Sequence, residues 1–123
     1  MSIQAAVREQ TTNSQHGAWT LLKVDKGQLV LKGTGTGVGS LHSAFGETEI
    51  NFALLTLRLT LQGIADLPRH IFFHWKGPQT SGMARVQGNQ KIQEALNLLQ
   101  PHHGQIEVTN RNNFTESVIV EKW

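Results

Sequence analysis

The stretch EINFALLTLRLTL, residues 49–61, constrains this chain more than any other. In an extended strand, Ile50, Phe52 and Leu54 share one face, while Leu55, Leu57, Leu59 and Leu61 share the other. A strand that is apolar on both faces cannot border water, so it belongs in the middle of a sheet with further layers above and below it. The chain has 123 residues, room for a real core, and residues 1–123 are expected to form a single domain.

The remaining elements fit around that strand. AWTLLKV (18–24) and QLVLK (28–32) are strand-like runs joined by Asp25-Lys26-Gly27, a connection of hairpin length, and should pair antiparallel. HIFFHW (70–75) is rich in strand formers, with Ile71, Phe73 and Trp75 on one face and His70, Phe72 and His74 on the other; Gly77-Pro78 ends it. QGIADLP is a loop in which Asp66 is a turn residue, and GQIEVTN (104–110) is a short alternating strand. Ile3, Ala6 and Val7 predict a short N-terminal helix, and Val38, Leu41 and Phe45 a two-turn helix. Ile92, Ala95, Leu96 and Leu99 predict an amphipathic helix stopped by Pro101. Asn113 followed by Glu116 has the form of a helix start, so ESVIVEKW is read as a closing helix, although its β-branched Val118-Ile119-Val120 would also suit a strand. The fold class expected is α+β, an α/β/α sandwich: a central mixed β-sheet of about five strands flanked by helices on both faces.

Composition removes several functional classes. Eleven basic against nine acidic residues leave a net charge of +2, and the cations are scattered rather than striped, which argues against nucleic acid as a partner. No run approaches the roughly 18 apolar residues of a membrane span. The N-terminus lacks the basic and apolar regions of a signal peptide, and cysteine is absent. A cytoplasmic chain that avoids membranes is expected.

GTGTGVGSL (33–41) resembles a phosphate loop only superficially. A dinucleotide fingerprint from Gly33 meets Val38 at its third glycine position and from Gly35 meets Ser40, and there is no Gly-Lys-Ser/Thr. Gly33, Gly35, Gly37 and Gly39 are therefore expected to allow a tight strand-to-helix turn, some with positive φ. His70 and His74 would lie about 13 Å apart along a strand, too far to share an ion. His102 and His103 are adjacent in a loop, and no carboxylate accompanies either pair at ligand spacing. Ser40, Ser43 and Ser81 lack a nucleophile-elbow setting, and no acid/base carboxylate dyad stands out. No metal, no cofactor and no enzymatic activity are expected.

GPQTSGMARVQGNQKIQEALN (77–97) is the remaining stretch with chemical interest. A loop leads into a helix whose first part carries Met83, Arg85 and Lys91 before the apolar stripe begins. It reads either as an ordinary solvated helix or as one that enters a partner's groove, with methionine as an adaptable anchor and basic residues steering it to an acidic surface.

Taken in order, these segments resemble the ADF-homology (actin-depolymerising factor, cofilin-like) domain, and within it the coactosin and drebrin branch. AWTLLKV resembles that branch's first core strand, and GTGTGVGSL its glycine-rich turn into the second helix. LPRHIFFHWKG is similar to its PKFxxIxWxG strand, and TSGMARVQGNQK to the VSGLxRAK start of its actin-binding helix. GQIEVTN and FTESVIVEKW fit its last strand and closing helix, so the likeness runs from about Ala5 to Trp123.

The resemblance implies the sandwich fold and a non-catalytic protein of the cytoplasmic cytoskeleton, monomeric, that binds actin and regulates its dynamics, in filaments ahead of monomers. It implies actin-binding roles for Arg69, Lys76, Ser81, Met83, Arg85 and Lys91. The family's lysines before the strand are reduced here to Arg69, and Ala84 and Gln87 stand at frequently basic positions. Exposed charges of this kind chiefly govern encounter rate and salt sensitivity. Ser2 falls where cofilins carry a regulatory phosphoserine, but its neighbours do not match and that role is not carried over. The alternatives are an adaptor that kept the fold and lost actin, and a cofilin-like protein that binds monomers and depolymerises filaments.

Overall fold

A computed structural model of the chain describes residues 2–13, 15–25, 28–59, 67–77, 79–100 and 104–108. The elements run α1 (Ile3–Asn13), β1 (Ala18–Asp25), β2 (Gln28–Thr36), α2 (Val38–Ala44), β3 (Ile50–Leu59), β4 (Leu67–Lys76), α3 (Gly82–Leu98) and β5 (Gly104–Val108). The five strands form one sheet in the order β2-β1-β3-β4-β5. It is mixed: β1 pairs antiparallel with β2 and β3, β3 antiparallel with β4, and β4 parallel with β5.

The doubly apolar strand is central, as its pattern requires. Residues 50–57 of β3 are all buried, and their alternation divides the core into two. On one side Ala53, Leu55 and Leu57 join Trp19, Leu21, Ile71, Phe73 and Trp75 beneath Leu41 of α2 and the following Phe45. On the other, Ile50, Phe52 and Leu54 join Leu22 and Phe72 beneath Val7 of α1, Ala95 of α3 and the following Leu99. Helices thus cover both faces of the sheet.

The glycine-rich stretch differs from its sequence reading. β2 continues to Thr36, past the expected end at Lys32, so Gly33 and Gly35 lie within the strand rather than in a turn. Gly35 faces Trp19 across the ladder, and a Cβ there would run into the indole ring. The glycine makes room for a core aromatic. Only Gly37, at φ 106°, serves the turn into α2, in a backbone region costly for other residues. The register with β1 shifts by one at Lys32, a bulge in an edge strand that blunts outside pairing.

Polar residues under α1 are joined into one network. Ser2 caps the helix, its Oγ accepting the Ala5 N–H at 3.1 Å. Gln10 reaches inward: its Nε2 donates to the Ala18 and Leu54 carbonyls and to Thr56 Oγ1 at 2.8–3.0 Å, and its Oε1 accepts from Thr20 at 2.6 Å. The Thr56 hydroxyl in turn meets His70 Nδ1 at 2.9 Å. The readings of residues 60–66, 101–103 and 109–123, including Leu61, Asp66, His102, His103 and the closing helix, lie outside the described residues.

Gln10→Ala should cost about 2–3 kcal/mol of stability, because it strands buried hydroxyl and carbonyl partners together. Urea denaturation monitored by tryptophan fluorescence measures it. A loss below about 0.5 kcal/mol would mean that water replaces the amide.

Candidate functional site

The front of α3 is held by the turn that precedes β3. Trp75 stacks on Phe45 with ring centres 4.8 Å apart and donates its Nε1–H to the Gly46 carbonyl at 2.6 Å. The next turn of chain lies on the same segment: Gly77 N–H donates to Glu49 O at 3.0 Å and Gln79 N–H to Glu47 O at 2.9 Å. A Cβ on Gly77 would overlap the Glu47 carbonyl, which accounts for the glycine two places after the tryptophan. Ser81 then takes the N-cap position, its carbonyl accepting the Arg85 N–H at 3.1 Å.

Along α3 the inner face is Gly88 and Ala95, both buried and continued by Leu99 just past the helix end, with Ile92 and Leu96 packed beside them. The outer face begins with Met83, 69% exposed, and Val86, 53% exposed, one turn apart. They are the large exposed apolar side chains recorded among the described residues. Val86 was not singled out by the sequence reading, yet its signal was present: it stands three residues from Met83 and off the Ile92–Leu99 stripe.

The six residues implied by the family resemblance divide into groups. Ser81, Met83 and Arg85 cluster within the first turns of α3, all exposed. Arg85 has no carboxylate partner among the described residues. Lys91 lies further along and pairs with Glu94 at 3.2 Å. Lys76, at the end of β4, pairs with Glu107 of β5 at 3.3 Å. Arg69 stands apart, seven residues back along β4, about 23 Å by strand rise. It shares parity with Ile71, Phe73 and Trp75 of the α2-side core, so it projects toward the face opposite α3.

Two ionisable groups near this end have shifted pKa values. Partial burial would raise Glu49, but hydrogen bonds from Lys32 and Asn51, with the Lys32 and Lys23 charges, hold it below its ordinary value. His74 is buried against the Phe52 ring at 4.9 Å, and its Nε2 lacks a hydrogen-bond partner among the described residues. Burial pushes its pKa down, Lys76 adds to the effect and Glu107 opposes it. Neither histidine of β4 is placed as a ligand, and the described residues contain no group of three metal-binding side chains. A cleft of about 220 Å³ between α1 and the β1–β2 hairpin is lined by Gln10, Thr20, Thr34 and Thr36, with Glu9 the one ionisable residue among its described lining. That set lacks a nucleophile paired with a base. No described helix is long and apolar enough to cross a membrane.

The sequence pattern of the family described as cofilin/tropomyosin-type actin-binding protein matches residues 1–123. No curated protein matches the chain by sequence. Among solved structures, human coactosin-like protein superposes with a TM-score of 0.87 at 15% identity, covering 98% of this chain and 92% of its own. The cofilin homology domain of the yeast actin-binding protein ABP1P gives 0.81 at 17% identity, covering 99% and 91%. Mouse coactosin gives 0.80 at 15% identity, covering 98% and 84%. At such identities these likenesses speak for the fold.

Because His74 takes up a proton more readily in the unfolded chain than in the native one, stability should fall as pH drops below the ordinary histidine range, until the depressed native pKa is reached. Urea midpoints at pH 7.5 and 5.5 should separate further for the native protein than for His74→Leu. Equal separations would remove His74 from the account.

Proposed function

The chain belongs to the cofilin/ADF family of actin-binding proteins, and from that premise we propose that it binds actin filaments without catalysis, through the front of α3, as a cytoskeletal regulator of coactosin type. One observation carries the reading: Met83 and Val86 are large apolar side chains left in water at the start of a helix whose Ile92, Ala95 and Leu96 pack into the core. An exposed apolar pair beside a cation that has no carboxylate partner among the described residues is the composition of an interface centre with an electrostatic edge. Mouse coactosin, which shares the fold, is described as an actin filament binding protein, and this supports filaments ahead of monomers.

The roles divide by chemistry. Met83 and Val86 supply the apolar contact, with methionine adapting its flexible thioether to the partner's surface. Arg85 supplies charge. Ser81 starts the helix and lies at the edge of the same patch. Lys91 and Lys76 contribute less, because Glu94 and Glu107 already neutralise them. Arg69 sits on the face opposite α3 and serves at most a second contact. The chain acts as one domain and a monomer in the cytoplasm, with neither nucleic acid nor membrane as a partner.

The neutralised lysines favour a second reading, an adaptor that kept the fold and lost actin.

Co-sedimentation with filamentous actin at low and high salt tests both. Arg85→Ala should weaken pelleting several-fold in low salt and less in high salt, since an exposed charge acts through a screened field. Met83→Ala should weaken it about tenfold at either salt, as loss of a central apolar anchor does. Lys91→Ala should change it least. Absence of pelleting by the native chain at both salts would leave the adaptor.

A further inference from the structure

Gly88 lies in the middle of a 17-residue helix, a place where glycine weakens the helix relative to alanine. It is buried, and a Cβ built there would stand 2.7 and 2.9 Å from Ile50 Cγ2 and Cγ1 and 3.1 Å from Ile50 Cβ. The helix backbone therefore rests directly on a core side chain. Ile50 has little freedom to yield. It is 3% exposed, it pairs with Lys76 across the β3–β4 ladder, and its neighbours Glu49 and Asn51 are fixed by the Lys32 ion pair at 2.7 Å and by the Asn51 Oδ1 bond to Gly46 N–H at 3.0 Å.

A second contact without a side chain lies at the other end of the exposed span. Gly77 presses on the main chain of Gly46 and Glu47 and is hydrogen-bonded to Glu49. Residues 46–50 thus support the chain at both Gly77 and Gly88, and between those supports stand Met83, Arg85 and Val86. Neither the spacing of the apolar stripe nor helix propensity asks for glycine at position 88. The contact does.

We propose that Gly88 is a positioning residue for the actin-binding surface: by letting α3 sit directly on Ile50, it sets the height at which Met83, Arg85 and Val86 are offered to the filament. The inference rests on the filament reading above. A methyl group at position 88 lifts the front of the helix while leaving the identity of every side chain of the surface unchanged. Shortening Ile50 to alanine removes the two closest contacts and lets the helix settle again.

The experiment is a double-mutant cycle of Gly88→Ala and Ile50→Ala, read by filament co-sedimentation and by thermal melting followed with circular dichroism. Gly88→Ala should remain folded and bind roughly tenfold more weakly, and Gly88→Ala with Ile50→Ala should bind several-fold more tightly than Gly88→Ala alone. In the melts, the added alanine should lower the midpoint when Ile50 is present and raise it when position 50 is alanine. If Gly88→Ala does not fold, the comparison is between Ile50→Ala and the double variant, and the double variant should bind at least as well.

The proposal is overturned if Gly88→Ala pellets like the native chain, if the double variant binds no better than Gly88→Ala, or if, where Gly88→Ala does not fold, the double variant binds worse than Ile50→Ala. A native chain that does not pellet overturns the filament reading, and this inference with it. Normal pelleting by both the native chain and Gly88→Ala overturns the positioning role alone.

Discussion

Burial of β3 from both sides is the constraint from which the rest of the structure follows. Leu55 and Leu57 need one covering layer and Phe52 and Leu54 another, so α2 must lie on one face while α1 and α3 lie on the other. The same burial applies to the polar residues of the strand. Thr56 and Asn51 are fully buried and must find partners inside the protein. Thr56 finds Gln10 and His70; Asn51 finds the Leu22 carbonyl, the Glu49 carboxylate and the Gly46 amide. Satisfying the central strand therefore ties α1 to the sheet at one end and organises the α2–β3 turn at the other.

That turn transmits the constraint to the surface. Phe45, Gly46, Glu47 and Glu49 hold Trp75, Gly77 and Gln79, and through them the start of α3. The helix begins where the core has fixed its first residues, and about two turns beyond its N-cap at Ser81 the close approach of Gly88 seats it on Ile50. The exposed apolar pair is accordingly carried on a stiff support. A surface presented in this way loses little conformational freedom on binding, which favours affinity from a small contact.

Much of this architecture was legible in the sequence. The period-two pattern within residues 49–61, the hairpin connection and the apolar stripe from Ile92 are local signals, and they correspond to β3 over Ile50–Leu59, the antiparallel β1–β2 pair and α3. What escaped depends on contacts between distant residues. Glycines at 33 and 35 read as turn formers because their neighbours offer nothing to pack, yet Gly35 is there for Trp19, sixteen residues away in the chain. Gly88 reads as a weak point in a helix until Ile50 is placed beneath it. The pairing of Lys76 with Glu107 joins β4 to β5 across a parallel ladder, and no spacing rule announces it. The candidate surface was half legible: Met83 and Arg85 stood out by type, Val86 was passed over, and the parity that turns Arg69 away from α3 only acquires meaning once each face has its helices.

Oxidative footprinting of Met83 addresses the central claim most directly, because this thioether lies in water in the free protein and at the centre of the proposed contact. With filamentous actin added in excess, conversion of Met83 to its sulfoxide should slow by an order of magnitude or so, as burial in an interface excludes the oxidant. Unchanged oxidation of Met83 in protein that has pelleted with filaments would place the contact elsewhere and contradict the account.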